Sequence, residues 1–145
     1  MKIAYIDSSF LLSIIFEDEN YEFSLDTWNG IDVHLSSVLL DVECFINLDK
    51  VKKHEKSLSE EWLAHKNKEL ENLISCINRK NLDSDVLDEI KNNNSLKKLK
   101  ALDSIHLATA NIYQKFSEEN ILLCTYDKNM QKVGLSLGFG ILYFF

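Results

Sequence analysis

Four acidic residues have the type and placement to work on a phosphate. Asp7 directly follows the apolar run Ile3-Ala4-Tyr5-Ile6, and Asp127 stands two residues beyond a second run, Ile121-Leu122-Leu123-Cys124-Thr125. If both runs are strands of a parallel sheet, both carboxylates project at its carboxyl edge, where ligands of α/β sheets bind. Glu43 lies in the helical segment after another strand and Asp103 in the first turns of a late helix, so a three-layer fold is able to bring the four acids together. Crowded carboxylates repel one another and cost stability unless a cation neutralises them. A pocket lined by carboxylate oxygens suits Mg2+ or Mn2+. Such ions orient a phosphate, stabilise its developing charge and make water a better nucleophile. Asp41 competes with Glu43 for the second position, and the two point about 200° apart on a helix, so only one faces the pocket. Taken singly, each acid has a plain alternative as a solvated or helix-capping group.

The elements that must position these acids follow from hydrophobic patterning. Lys2 to Ile6 reads as a buried strand, Ser9 to Phe16 as a helix, and Ile31 to Leu35 as a second strand. Ser36 or Ser37 then caps a helix running through Leu40, Glu43 and Leu48. Leu58, Trp62, Leu63, Leu70, Leu73, Ile74 and Ile77 share one face of a long amphipathic helix that begins near Ser57 or Ser59. Ser84 caps a shorter helix, Asp85 to Lys91, and Asn92 to Ser95 form a break. The last segments are a helix over Leu99 to Phe116 with Leu102 and Ile105 inward, the strand Ile121 to Thr125, a helix Lys128 to Leu137 stopped by Gly138, and a strand Ile141 to Phe145. Strands separated by helices require crossover connections, hence an α/β fold with a mainly parallel central sheet covered on both faces.

With 145 residues, the chain has the length of one domain with its own core. A composition of 46% hydrophobic and 27% charged residues excludes disordered and collagen-like classes. The net charge of -7 argues against a simple cationic nucleic-acid binder. That acidity is local: residues 1–50 carry ten acids and two lysines, whereas residues 51–100 carry eleven bases and nine acids. Three separated cysteines without a CxxC pair indicate neither a disulfide framework nor a zinc site, and a cytoplasmic location is expected. The segment Met1 to Asp7 lacks a signal peptide's apolar core, and no apolar run approaches the ~20 residues of a membrane span.

Four stretches resemble the PIN-domain ribonucleases, especially the VapC-type toxins of type II toxin–antitoxin pairs. They are Tyr5-Ile6-Asp7-Ser8-Ser9-Phe10-Leu11-Leu12, Ser36-Ser37-Val38-Leu39-Leu40-Asp41-Val42-Glu43, Ala101-Leu102-Asp103-Ser104-Ile105-His106-Leu107-Ala108-Thr109-Ala110 and Thr125-Tyr126-Asp127. They occur in the family's order across nearly the whole chain. The resemblance implies a single PIN domain over residues 1–145, a Rossmann-like three-layer α/β/α architecture. It implies that Asp7, Glu43, Asp103 and Asp127 form a Mg2+ or Mn2+ site, with Ser9 and Thr125 orienting the carboxylates by hydrogen bonds. Among the two acids competing for the second position, Glu43 is the one that aligns. The activity implied is endoribonucleolytic: metal-assisted attack of water on an RNA phosphodiester, leaving a 5′-phosphate and a 3′-hydroxyl. A cognate antitoxin would block the acidic pocket, and a homodimer is expected.

Other side chains are assigned more modestly. Lys97, Lys98 and Lys100 precede Asp103 and are candidates for holding the RNA backbone. Lys50, Lys52 and Lys53 read as a solvated helix end, and Glu17-Asp18-Glu19 with Glu22 as a mobile solvated loop. His106 reads as a packed or hydrogen-bonded histidine. Tyr126 is the favoured aromatic for stacking on a base, ahead of Trp28 and Trp62. Where many family members follow the last acid with arginines, this chain has Lys128, and Arg79 is its only arginine. That departure supports an alternative, a catalytically weak PIN-like module that binds within a protein or RNA complex. A haloacid-dehalogenase phosphatase needs a second aspartate where Ser9 stands.

Overall fold

The computed structural model describes residues 1–142. Among them, five strands form one sheet: β1 (Ile3–Ile6), β2 (Val33–Ser37), β3 (Ile77–Lys80), β4 (Leu122–Cys124) and β5 (Gly140–Ile141), in spatial order β3-β2-β1-β4-β5. Every pairing is parallel, with Tyr5 opposite Leu35 on one side and Leu123 on the other. The chain moves outward from β1 to β3, then returns to the other side of β1 for β4. The order therefore reverses between β1 and β4, the switch point at which open α/β sheets bind ligands.

Side-chain alternation along β1 sorts the helices into two layers. Ala4 and Ile6 face a core completed by α1 (Ser8–Ile15), α2 (Tyr21–Asn29), α3 (Leu39–His54) and α4 (Glu60–Ile74), with Phe10, Leu40, Leu48, Leu70 and Ile74 buried there. Tyr5 faces the opposite core, where Val86 of α5 (Ser84–Lys91) and Leu107 of α6 (Ala101–Lys115) are buried. α7 (Lys128–Ser136) adds Val133 to this second layer. This is the three-layer α/β/α arrangement with a parallel sheet. α7 lies close on β4 because Gly134 has no side chain: a Cβ there would stand 2.6 Å from Leu123 Cδ2. The helix ends before Gly138, whose φ of 93° suits glycine.

Several local expectations are corrected. The long middle helix stops at Ile74, and Ile77 opens β3 instead. Ile77 is the only fully buried residue of that edge strand and stands at helical spacing from Leu73 and Ile74, so its periodicity does not reveal the change. Glu22 lies in the first turn of α2 rather than in a loop; Ser24 and Trp28 are the buried residues of that helix, with Tyr21 and Leu25 only partly buried against the core, too thin a stripe to recognise. Val38 occupies the N-cap position of α3, although Ser37 Oγ still accepts from the Leu39 N–H at 3.1 Å. Asp83, not Ser84, caps α5. Leu102 is 49% exposed instead of inward. The strand expected over Ile141 to Phe145 is represented by β5, and residues 143–145 lie outside the described residues.

Candidate metal centre at the carboxyl edge

Asp7 ends β1 and caps α1, which holds its backbone extended at φ −91°, ψ 157°. Its carboxylate is buried, and its two oxygens have different surroundings. Oδ2 accepts from Ser9 Oγ and from Thr125 Oγ1, each at 2.7 Å, and from the Ser9 N–H at 3.4 Å. Both hydroxyls in turn accept from the backbone beyond β4: Tyr126 N–H reaches Ser9 Oγ at 2.9 Å and Asp127 N–H reaches Thr125 Oγ1 at 3.1 Å. The two hydroxyls thus tie Asp7 to the segment carrying Asp127. Oδ1 is left facing the pocket, 3.8 Å from His106 Nε2.

The same imidazole nitrogen lies 2.5 Å from Glu43 Oε1. His106 is fully buried, and its Nδ1 is 2.8 Å from the hydroxyl of Tyr5, which β1 directs under α6. Burial pulls the His106 pKa down, but the Glu43 hydrogen bond and the carboxylates of Asp7, Glu43 and Asp103 more than offset it, so the pKa is raised. The phenol of Tyr5 is pushed well above its ordinary value by burial, so it remains a hydroxyl. Ligand atoms from Asp7, Glu43 and His106 lie within 4.8 Å of one another. Asp41 takes no part: it pairs with Arg79 on β3.

Asp103 and Asp127 stand around this group. The pKa of Asp103 is raised by partial burial and then by the charges of Asp127, Asp7 and Glu43, so the four acids share one field. Asp127 caps α7, its Oδ1 accepting from the Met130 N–H at 2.8 Å. The carboxylate oxygens of this group fit a hard divalent cation such as Mg2+ or Mn2+, while both nitrogens of the His106 imidazole are engaged, with Glu43 and with Tyr5.

The structure separates the candidate substrate groups. Lys97, Lys98 and Lys100 are exposed, the first two on a 3-10 turn (Leu96–Lys98) ahead of α6. Lys98 lines a polar cleft of about 350 Å³ together with Asn129 and Lys132 of α7; Lys132 carried no sequence signal beyond its charge. Lys52 and Lys53 are engaged with Glu60 and Asp49. Tyr126 is packed rather than available to a base, because it stacks on Phe10 at 6.1 Å and its hydroxyl lies 2.5 Å from Ser24 Oγ. Trp62 stacks on Phe16, and Trp28 packs at a tilt of 35° against His34. Tyr5 was legible only as strand filler, since nothing in its neighbours announces the contact with a histidine 101 residues away.

A parallel sheet between two helical layers, with an acidic pocket at its switch point, places the chain among the open Rossmann-like α/β folds. The PIN domain family model matches residues 4–135, and the chain belongs to that family. PIN domains are in general nucleases, and the four acids all fall inside the matched region. A search of curated proteins finds no match. Among the described residues, no helix is long and apolar enough to cross a membrane.

Proposed function

We propose that this protein is a Mg2+/Mn2+-dependent endoribonuclease of the VapC type, the toxin of a toxin–antitoxin pair, built as one PIN domain over residues 1–145. The observation that carries the reading is the division of labour on Asp7: one oxygen is saturated by Ser9 and Thr125, and the other is turned toward Glu43 and His106. A carboxylate held in this way is oriented before any ligand arrives, as metal-ligating side chains require. Asp7, Glu43, Asp103 and Asp127 would hold the cation, with the His106 imidazole fixing Glu43 through their hydrogen bond. Bound there, a divalent ion supplies charge stabilisation to the phosphate and lowers the pKa of an attacking water. Lys97, Lys98 and Lys100 supply the salt-dependent attraction for the RNA backbone.

The same reading places the protein in the cytoplasm as a homodimer, with a cognate antitoxin as its partner. Purified protein is expected to cleave RNA in Mg2+ or Mn2+ and to stop on chelation or after Asp7→Asn. Cleavage that persists in excess chelator, or in the Asp7→Asn/Asp103→Asn double variant, overturns it. One observation favours the alternative of a catalytically weak binding module: Arg79, the only arginine, is committed to Asp41 and gives phosphate no bidentate clamp. Growth arrest on expression, relieved by substituting Asp127, rules that alternative out.

A further inference from the structure

Beside the acidic pocket lies a second cleft, between α5, the 3-10 turn and the first turns of α6. Its volume of about 570 Å³ is that of a small-molecule site. Leu82, Val86, Leu87, Ile90, Leu99 and Ile105 line it, and Leu82 and Leu87 are about half exposed. Ser104 also forms its wall. This residue is 4% exposed and its hydroxyl has no hydrogen-bond partner, whereas buried hydroxyls nearly always find one. A helical serine commonly bonds the carbonyl four residues back; here the Lys100 carbonyl receives the Ser104 backbone N–H at 2.8 Å and not its hydroxyl.

Place and charge relate this cleft to the acids. Ser104 follows Asp103, so their Cα atoms are about 3.8 Å apart and their side chains diverge by about 100°. One turn of α6 thus presents a carboxylate to the acidic pocket and a hydroxyl to the cleft. Leu82 and Asp83 follow β3, so the cleft opens at the same carboxyl edge as Asp7 and Asp127. Lys97 lines it and Lys98 and Lys100 are exposed nearby. The one acid in the wall, Asp83, is countered by Lys80 Nζ at 2.7 Å.

We infer that this cleft receives one unpaired nucleobase of the RNA substrate next to the scissile phosphate, with the Ser104 hydroxyl bonding the base edge. The inference rests on the ribonuclease reading above. A base has two apolar faces and a polar edge, which matches aliphatic walls with a single hydroxyl. Its attached phosphate is drawn by the lysines. A purely apolar side chain of a protein partner would leave Ser104 unsatisfied and forfeit that bond.

The test reads binding without divalent cations, by NMR of the Leu, Val and Ile methyl groups during titration with each of the four ribonucleoside 5′-monophosphates. One base is expected to shift the cleft methyls saturably and to bind about tenfold more tightly than the others, the worth of one hydrogen bond. Ser104→Ala should erase that preference. Leu87→Trp, at an exposed position where folding is not at stake, should abolish the shifts by filling the cleft. Equal shifts from all four nucleotides, no shifts, or shifts from an apolar peptide alone overturn the inference. RNA cleavage in Mn2+ is scored separately. Base-specific shifts without any cleavage by the wild type overturn the ribonuclease reading, whereas cleavage with unaltered cut-site preference in Ser104→Ala overturns the role of the cleft.

Discussion

The hydroxyl of Thr125 lies 2.7 Å from Oδ2 of Asp7, a bond that joins the ends of β1 and β4 across 118 residues of sequence. Adjacent parallel strands place these ends side by side, but only a hydroxyl at Thr125 makes the contact directional. The same oxygen accepts the Asp127 N–H, so one side chain sets the orientation of two of the four acids.

Thr125→Val keeps the volume and removes the hydroxyl. It leaves the Asp127 N–H without its acceptor and should destabilise the fold by about 1–3 kcal/mol. Because it acts through groups that orient candidate ligands, apparent Mn2+ affinity should fall about 10–100-fold. Thr125→Ser should recover most of both losses. Denaturant melts and metal titrations of activity check the two effects independently.

Tyr5→Phe tests the support behind Glu43. The ring stays in the core while His106 Nδ1 loses its 2.8 Å partner, so a buried polar atom is orphaned at a cost of about 1–3 kcal/mol. A freer imidazole holds Glu43 less firmly, and cleavage should slow through kcat with KM little changed. Unchanged kcat in a folded variant would show that packing and the Glu43 contact hold His106 without the Tyr5 hydroxyl.

How much of this was legible in the sequence depends on where the information is stored. β1 and β4 are buried on both faces, so they read as short apolar runs, and the acid that ends each run marks the carboxyl edge. The position of Asp7 and Asp127 is therefore written in the local sequence, whereas only the family pattern distinguishes Glu43 from Asp41; the structure turns Glu43 to His106 and Asp41 to Arg79. β3 was hidden because an edge strand with one buried residue has no alternation to detect. The contact of Tyr5 with His106 was hidden for a different reason: it is set by the packing of α6 on the sheet, not by any local preference.

Away from the site, Glu89 of α5 is 9% exposed and accepts from Asn111 Nδ2 at 2.8 Å while pairing with Lys115, both on α6. Glu89→Ala removes this clamp and strands the Asn111 amide. Stability should drop by about 1–3 kcal/mol, seen as a lower denaturant midpoint. The metal affinity of the folded protein should be unchanged, because the clamp touches none of the four acids.

The acidic pocket itself predicts how stability responds to divalent cations. Without them, Asp103 feels the charges of Asp127, Asp7 and Glu43, and that repulsion is present only when the fold brings the acids together. Asp103→Asn should therefore raise the melting temperature in chelator while abolishing cleavage, a stabilisation obtained at the expense of function. Mn2+ should stabilise the wild type by about 2.7 kcal/mol at a hundredfold excess over its dissociation constant, since a ligand of the folded state shifts unfolding by mass action. The same addition should do much less for Asp103→Asn and least for Asp7→Asn, which loses the carboxylate charge at the centre of the group. Thermal melts of the three proteins across a Mn2+ series decide the matter: equal stabilisation of all three would place the cation elsewhere on the surface.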